Sequence, residues 1–364
     1  MPTTPFSVPV RTDWEGLVRC IRREGTPDRV YHIELFLDAE VQDAICERFG
    51  IGEDLDISDP AEACRRQIAL QRFLGYDYVR ARLQDMDLPL KRGLANDTAS
   101  LQRSGGRHFQ DEHTGPITTW AEFEAFEWPD PTRDEVYRDY EWYERNLPDD
   151  MCMIGSGGFA HFAEHLTWLM GYETLCYALF DQRDLVQAIS ERLFDIYDQA
   201  LRRMLQFERV KIVWGSDDMG FRSSTLISPD DLRAYVLPGH RHMAALSHEA
   251  GHPYLLHACG NLAGIMDDLI DDVRIDAKHS FEDTIEQVTE VKFTYGQRIA
   301  LLGGIDVDFL CRATEEQVRE RVRHTLDVCQ PGGGYCLGTG NSVANYIPVD
   351  NYLAMVDEGR RYGA

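Results

Sequence analysis

Eight short apolar or β-branched runs, each closed by a polar or glycine-bearing stop and separated by helical stretches, constrain this chain more than any other feature. They are 29–35, 77–80, 151–155, 210–215, 253–257, 273–278, 298–303 and 334–338. Strands that alternate with helices pair in parallel, and eight parallel strands close into a barrel. The sequence therefore predicts an α/β chain forming a single (β/α)8 TIM barrel over residues 1–364. Helix starts are legible between the strands. Ser228-Pro229-Asp230-Asp231 sets a capping residue and a first-turn proline ahead of Leu232 and Tyr235, and Thr314-Glu315-Glu316-Gln317 reads as a capping box. Thr12-Asp13-Trp14-Glu15 reads as another, which makes residues 1–28 an N-terminal helical extension. The connection after strand 2, residues 84–150, is far longer than ordinary βα loops, so it is an insertion serving as a lid, as a partner-docking surface, or as an ordered excursion covering the barrel side.

Composition narrows the function classes. The net charge of −25 comes from acidic residues spread along all 364 positions. Nucleic acid and anionic membrane surfaces are repelled by such a field, so neither is an expected partner. No apolar run reaches the ~20 residues that span a bilayer, and the opening MPTTPFSVPVRTDW lacks the blocks of a secretory leader. A cytoplasmic location is expected. Nine scattered cysteines give no disulfide framework.

In a barrel of this kind the reactive groups come from the carboxyl ends of the strands. Those ends carry Glu34, Arg80, Ser156, Asp217, Asp218, His257, Cys259, Lys278, His279, Asp306, Cys336 and Asn341. In extended chain, residues two apart point the same way, so His257 and Cys259 can converge on one ion. Cys336, with 76 residues intervening, is a candidate third soft donor from across the mouth. One imidazole and two thiolates with an open fourth position describe a catalytic zinc site. The alternative is that His257 is a satisfied core histidine and the cysteines fill space. Glu34, Asp218 and Asp217 are the carboxylates available for catalysis, with Asp217 and Asp218 equally able to cap the turn that follows. Arg80, Ser156, Lys278, His279, Asp306 and Asn341 are the groups left for binding substrate. The runs Gly155-Ser156-Gly157-Gly158 and Gly332-Gly333-Gly334 match no phosphate-binding fingerprint, and no Gly-x-Ser-x-Gly elbow is present.

Asp217-Asp218-Met219-Gly220, Leu226-Ile227-Ser228-Pro229, His257-Ala258-Cys259-Gly260-Asn261, Leu302-Gly303-Gly304-Ile305-Asp306 and Gly338-Thr339-Gly340-Asn341, in that order, resemble the uroporphyrinogen decarboxylase superfamily. That superfamily of (β/α)8 barrels also contains the corrinoid-dependent methyltransferases. Two departures separate this chain from true decarboxylases. Where those carry an Arg-Gln-Ala-Gly-Arg segment after the first strand, this chain has the acidic Glu34-Leu35-Phe36-Leu37-Asp38-Ala39-Glu40; where they carry Gly-His-Gly, it has Gly338-Thr339-Gly340-Asn341. The methyltransferase branch has a His-x-Cys motif followed about 76 residues later by a second cysteine as zinc ligands, and His257, Cys259 and Cys336 look like that set. The resemblance implies a zinc-dependent enzyme moving methyl between a small substrate (a methoxy or methylamine compound, a thiol or tetrahydrofolate) and a methylcobamide carried by a separate corrinoid protein. It also implies a homodimer. Two other readings stand beside it: cofactor-independent decarboxylation of uroporphyrinogen III or a related acid, and a barrel that binds a small ligand without turnover.

Overall fold

The computed structural model of the chain describes residues 6–90, 92–110 and 113–362. Residues 1–5 of the expected N-terminal extension, Lys91, Asp111 and Glu112 of the expected insertion, and residues 363–364 lie outside them. Nine strands are present among the described residues: β1 (Tyr78–Ala81), β2 (Arg92–Ala95), β3 (Arg107–Gln110), β4 (Cys152–Gly155), β5 (Val210–Ser216), β6 (Tyr254–His257), β7 (Ala277–His279), β8 (Ala300–Leu302) and β9 (Tyr335–Cys336). Seven of them form one parallel sheet in the order β1-β4-β5-β6-β7-β8-β9. Sequence order equals spatial order and every crossover carries helix, which is the topology of a TIM barrel.

The expected first strand, 29–35, closes the barrel without forming a regular strand. On one side it is held to the β9 segment by the parallel bridge His32↔Leu337 and by hydrogen bonds from Ile33 N to Leu337 O and from Leu337 N to Tyr31 O. On the other side a side chain replaces the backbone ladder: the Tyr78 hydroxyl accepts from Glu34 N (2.8 Å) and donates to Glu34 O (3.2 Å). A phenol is longer than a peptide bond, so the barrel wall is spread at this seam. The sixth expected strand is also shortened. Residues Asp268–Val273 form a π-helical turn, Arg274 turns with φ 66°, and pairing begins only at Ala277.

Two of the expected caps hold, since Ser228 accepts from Asp231 N and Thr314 forms a reciprocal capping box with Gln317. In the helix Trp14–Ile21 the cap is Asp13, which accepts from Gly16 N, because the Thr12 hydroxyl is engaged by Asp150. That helix covers the amino-terminal end of the barrel, where Gly334 N donates to Cys20 O and Asp13 N donates to Asp77. At the opposite end the insertion after β1 carries the antiparallel pair β2–β3 and is tied to the mouth. Arg103 pairs with Asp38 and Glu40, and Asp97 links Arg107 to Asn345. No helix among the described residues is long and apolar enough to cross a membrane.

Candidate metal centre and substrate cavity

β5 and β6 pair with Ser216 opposite His257, and Asp217 N extends the ladder to His257 O. Consecutive side chains of an extended chain face opposite sides, so Asp217 and Asp218 separate. Asp217 turns outward and is fully buried, its carboxylate accepting from Ala163 N, Glu164 N and His240 Nε2 at 2.8 Å each. It caps the helix Phe162–Met170 and locks it to His240. Asp218 turns inward, where Oδ1 accepts from Cys259 N (2.9 Å) and lies 3.3 Å from His257 Nε2. The loops after β5 and β6 touch, and a Cβ on Gly260 (φ 87°) would stand 2.1 Å from the Gly220 carbonyl carbon, so glycine there is what lets them meet.

Donor atoms of Asp218, His257 and Cys259 all lie within 4.8 Å of one another. Hydrogen bonding fixes the tautomer of His257. The His279 ring is fully buried, and burial together with neighbouring His257 holds its pKa well below the usual imidazole value, so it is neutral. Its Nε2 faces the Thr339 carbonyl at 3.3 Å, an acceptor only, and therefore carries the proton. His279 Nδ1 is then a lone pair, and His257 must donate Nδ1–H to it across 2.7 Å. In the neutral ring what remains on His257 is the Nε2 lone pair, aimed at Asp218 Oδ1 (3.3 Å) and Cys259 Sγ (3.4 Å).

Three donor atoms thus converge, and a metal cation can take the place of the protons that His257 Nε2 or the Cys259 thiol otherwise carries between them. Burial, followed by the Asp218 charge, pushes the Cys259 thiol well above its ordinary value. For Asp218 burial opposes ionisation, but His257 and Cys259 outweigh it and hold the carboxyl below the usual range. The sulfur and imidazole donors favour zinc over magnesium or calcium, and three protein ligands leave one position open. Asn341 Nδ2 donates to Cys259 Sγ (3.2 Å), while Cys259 Sγ reaches Ser280 Oγ at 3.6 Å. The residues present therefore fit a zinc ion.

Cys336 is not brought to this trio. Its thiol is fully buried and hydrogen-bonds with Cys20 of the helix at the amino-terminal end; that bond, followed by burial, pushes it well above its ordinary value. Strand tilt explains the displacement. Lys278 pairs with Leu301 and Leu302 with Cys336, so the ladder carries the level of His279 to Cys336. With strands ~4.8 Å apart and tilted ~36°, each step round the barrel descends by about 3 Å, roughly 8 Å from β6 to β9. His279 accordingly meets Thr339, three residues beyond Cys336. Cys336, expected as the third zinc ligand, thus lies apart from His257 and Cys259, and Asp218, expected to serve as a catalytic carboxylate, is the third donor beside them.

The other expected residues divide into two groups. Asp306 caps the helix Val307–Arg312 by accepting from Phe309 N (2.8 Å) and also accepts from Asp283 N, so its carboxylate is occupied structurally. Lys278 donates to Ser280 O (2.6 Å) and lies over the Phe281 ring, and burial pushes its ammonium down to about 8. Glu34, Arg80 and Ser156 instead line a cavity of about 470 Å³ that opens at the spread seam, with Phe36, Tyr78, Phe159, His161 and Trp214 in its walls.

Glu34 is buried, and its hydrogen bonds show which form it takes. Thr339 Oγ1 lies 2.6 Å from Glu34 Oε2 and 2.8 Å from Asn341 O, yet a hydroxyl has one proton. Both contacts are satisfied when Glu34 Oε2–H donates to Thr339, which donates to Asn341 O, while Thr339 N donates to Glu34 Oε1 (2.9 Å). In agreement, burial raises the Glu34 carboxyl to about 8 against the opposing Thr339 bonds. Arg80 donates from Nε to Ser156 Oγ (3.0 Å) and lies 4.8 Å over the Trp214 ring. Burial pushes its guanidinium down to about 10, still charged at neutral pH. The cavity and the metal trio share a wall, because Trp214 packs edge-on against His279 and Thr339 bridges His279 to Glu34. Sequence reading overlooked Trp214, whose interior position follows from its alternation with the outward residues of β5.

Comparison with known proteins agrees with this fold. The sequence pattern of the family described as "Uroporphyrinogen decarboxylase (URO-D)" matches residues 112–362. Over 135 residues the chain is 35% identical to a methylated-thiol–coenzyme M methyltransferase of Methanosarcina mazei, a match covering 37% of this chain and 34% of that protein. The chain thus aligns with about a third of that curated relative. Among solved structures, a methyltransferase from Methanosarcina mazei superposes with a TM-score of 0.68 at 14% identity, over 96% of this chain and 98% of that one. A B12-independent methionine synthase from Shewanella sp. W3-18-1, in complex with selenomethionine, gives 0.55 at 11% identity over 93% and 94%. At such identities both superpositions establish the fold alone.

Proposed function

Because this chain belongs to the uroporphyrinogen decarboxylase family, and its barrel mouth holds an Asp/His/Cys donor trio beside a cavity, we propose that it is a zinc-dependent methyltransferase. It moves a methyl group between a small substrate and a corrinoid carried by a separate protein. A methylated thiol, the substrate class named for the Methanosarcina mazei relative, is the leading class. The observation that carries the reading is the convergence of His257 Nε2, Asp218 Oδ1 and Cys259 Sγ, with the His257 ring oriented by His279.

His257, Cys259 and Asp218 would hold the metal. When bound, zinc lowers the pKa of an acceptor thiol or polarises the leaving group of a methyl donor. The rest of the chemistry belongs to the chain. His279 orients His257 and sets its tautomer, as second-layer partners of metal-ligating histidines do. Asn341 and Ser280 hold the Cys259 sulfur in place. Glu34 stores a proton on Oε2 at the cavity wall. Loss of a methyl group leaves the substrate heteroatom with an extra electron pair, and that proton neutralises it; in the reverse direction Glu34 takes the proton back.

The test is zinc content by mass spectrometry. Near one zinc per chain is expected in the wild type and in Cys336→Ser, with loss in Cys259→Ser and Asp218→Ala. Zinc-free wild type, or zinc lost only in the Cys336 variant, sinks the metal assignment. Methyl transfer from methylcobalamin to added thiols, followed by the corrin absorbance, tests the reaction. Turnover of uroporphyrinogen III that persists in chelator would establish decarboxylation instead.

A further inference from the structure

The Arg80 guanidinium is a charge that the fold leaves without a counter-ion among the described residues. It points from β1 into the cavity, and among the described residues it forms no ion pair and makes one hydrogen bond, from Nε to Ser156 Oγ. Its Nη1 is buried without a partner. The groups that act on it electrostatically are Tyr78, Tyr140 and Arg82, with no carboxylate among them, and Arg82 also lines the cavity. The two acidic residues of that cavity offer it no counter-ion. Glu34 is neutral by the hydrogen-bond argument above, and Asp38 is paired with Arg103. A half-buried cation whose only charge compensation is the face of Trp214 is unfavourable without a counter-ion. Such groups persist where a ligand supplies the missing charge.

We infer that Arg80 is the anchor for the anionic head group of the substrate, so that the molecule acted on is a small organic acid bearing a carboxylate or sulfonate. The planar guanidinium fork matches two oxygens of either group. Phe36, Phe159 and Trp214 give the remainder an apolar wall, and a cavity of about 470 Å³ suits a molecule of modest size. This inference rests on reading the barrel mouth as the substrate site, but not on the metal.

Isothermal titration calorimetry with butanoate, butane-1-sulfonate and the neutral isostere butanamide tests it. Wild type is expected to bind at least one acid about tenfold or more tightly than the amide, and the tighter acid identifies the head group. Arg80→Gln should erase the preference while keeping its zinc content and a melting temperature at or above that of wild type. Arg80→Lys, which retains charge and bulk, provides the same comparison if the glutamine variant does not fold, and should weaken the preference. Equal binding of acid and amide by wild type, no saturable heat from either acid, or a preference that survives Arg80→Gln overturns the assignment. Zinc-free wild type that still prefers the acid would sink the metal reading and leave this one standing.

Discussion

Replacing Glu34 by glutamine should stabilise the protein, and the gain should grow with pH. The glutamine side chain reproduces the proton-bearing form of the carboxyl: its amide donates to Thr339 Oγ1 as Glu34 Oε2–H does, and its carbonyl accepts from Thr339 N. Only the wild type must ionise on unfolding. The carboxyl sits near 8 in the folded chain against 4.5 when free. A folded-state value above the unfolded one means that this group favours folding fully below pH ~4.5 and loses that contribution as pH rises towards ~8. Linkage at about 1.36 kcal/mol per pH unit makes the wild type less favoured than the variant by roughly 1 kcal/mol at about pH 5.5 and roughly 3 at about pH 7. The difference approaches roughly 5 kcal/mol above about pH 8.5. Urea unfolding of both proteins at those three pH values isolates Glu34, because every other titrating group cancels in the difference. A wild-type-to-variant gap that stays constant with pH would refute the reasoning, since Glu34 would then be ionised in the fold. Methyl transfer should fall in the same variant, which carries no transferable proton.

Other perturbations separate the site from its scaffold. His279→Phe keeps the ring against Trp214 but removes the acceptor of His257 Nδ1–H, and zinc affinity measured by chelator competition should drop about 10- to 100-fold; unchanged affinity would sever His279 from the site. Asp217→Ala strips a buried cap and leaves His240 Nε2 without its acceptor, so a loss of about 3–5 kcal/mol is expected in urea unfolding; a change near zero would return Asp217 to the list of catalytic carboxylates. Asp306→Ala should lower stability by about 1 kcal/mol through its lost helix cap, with zinc content as in wild type.

The sequence by itself determined what depends on local pattern. Strand–helix alternation specified the parallel barrel, Ser228 and Thr314 announced their helices through capping chemistry, and His257-Ala258-Cys259 placed two donors on one face because extended chain has period two. It also marked the strand ends where Glu34, Arg80 and Ser156 line the cavity. Tertiary structure decided what depends on how strands lie against one another. Tilt lowers each successive strand, so Cys336, level with His279 along the ladder, ends beside Cys20 at the opposite end of the barrel. The inward or outward sense of neighbouring carboxylates separated Asp217 from Asp218. The bridging phenol of Tyr78 spread the seam at which the cavity opens. None of these is written in spacing along one chain, because each is set by a rotation or a register between elements far apart in sequence.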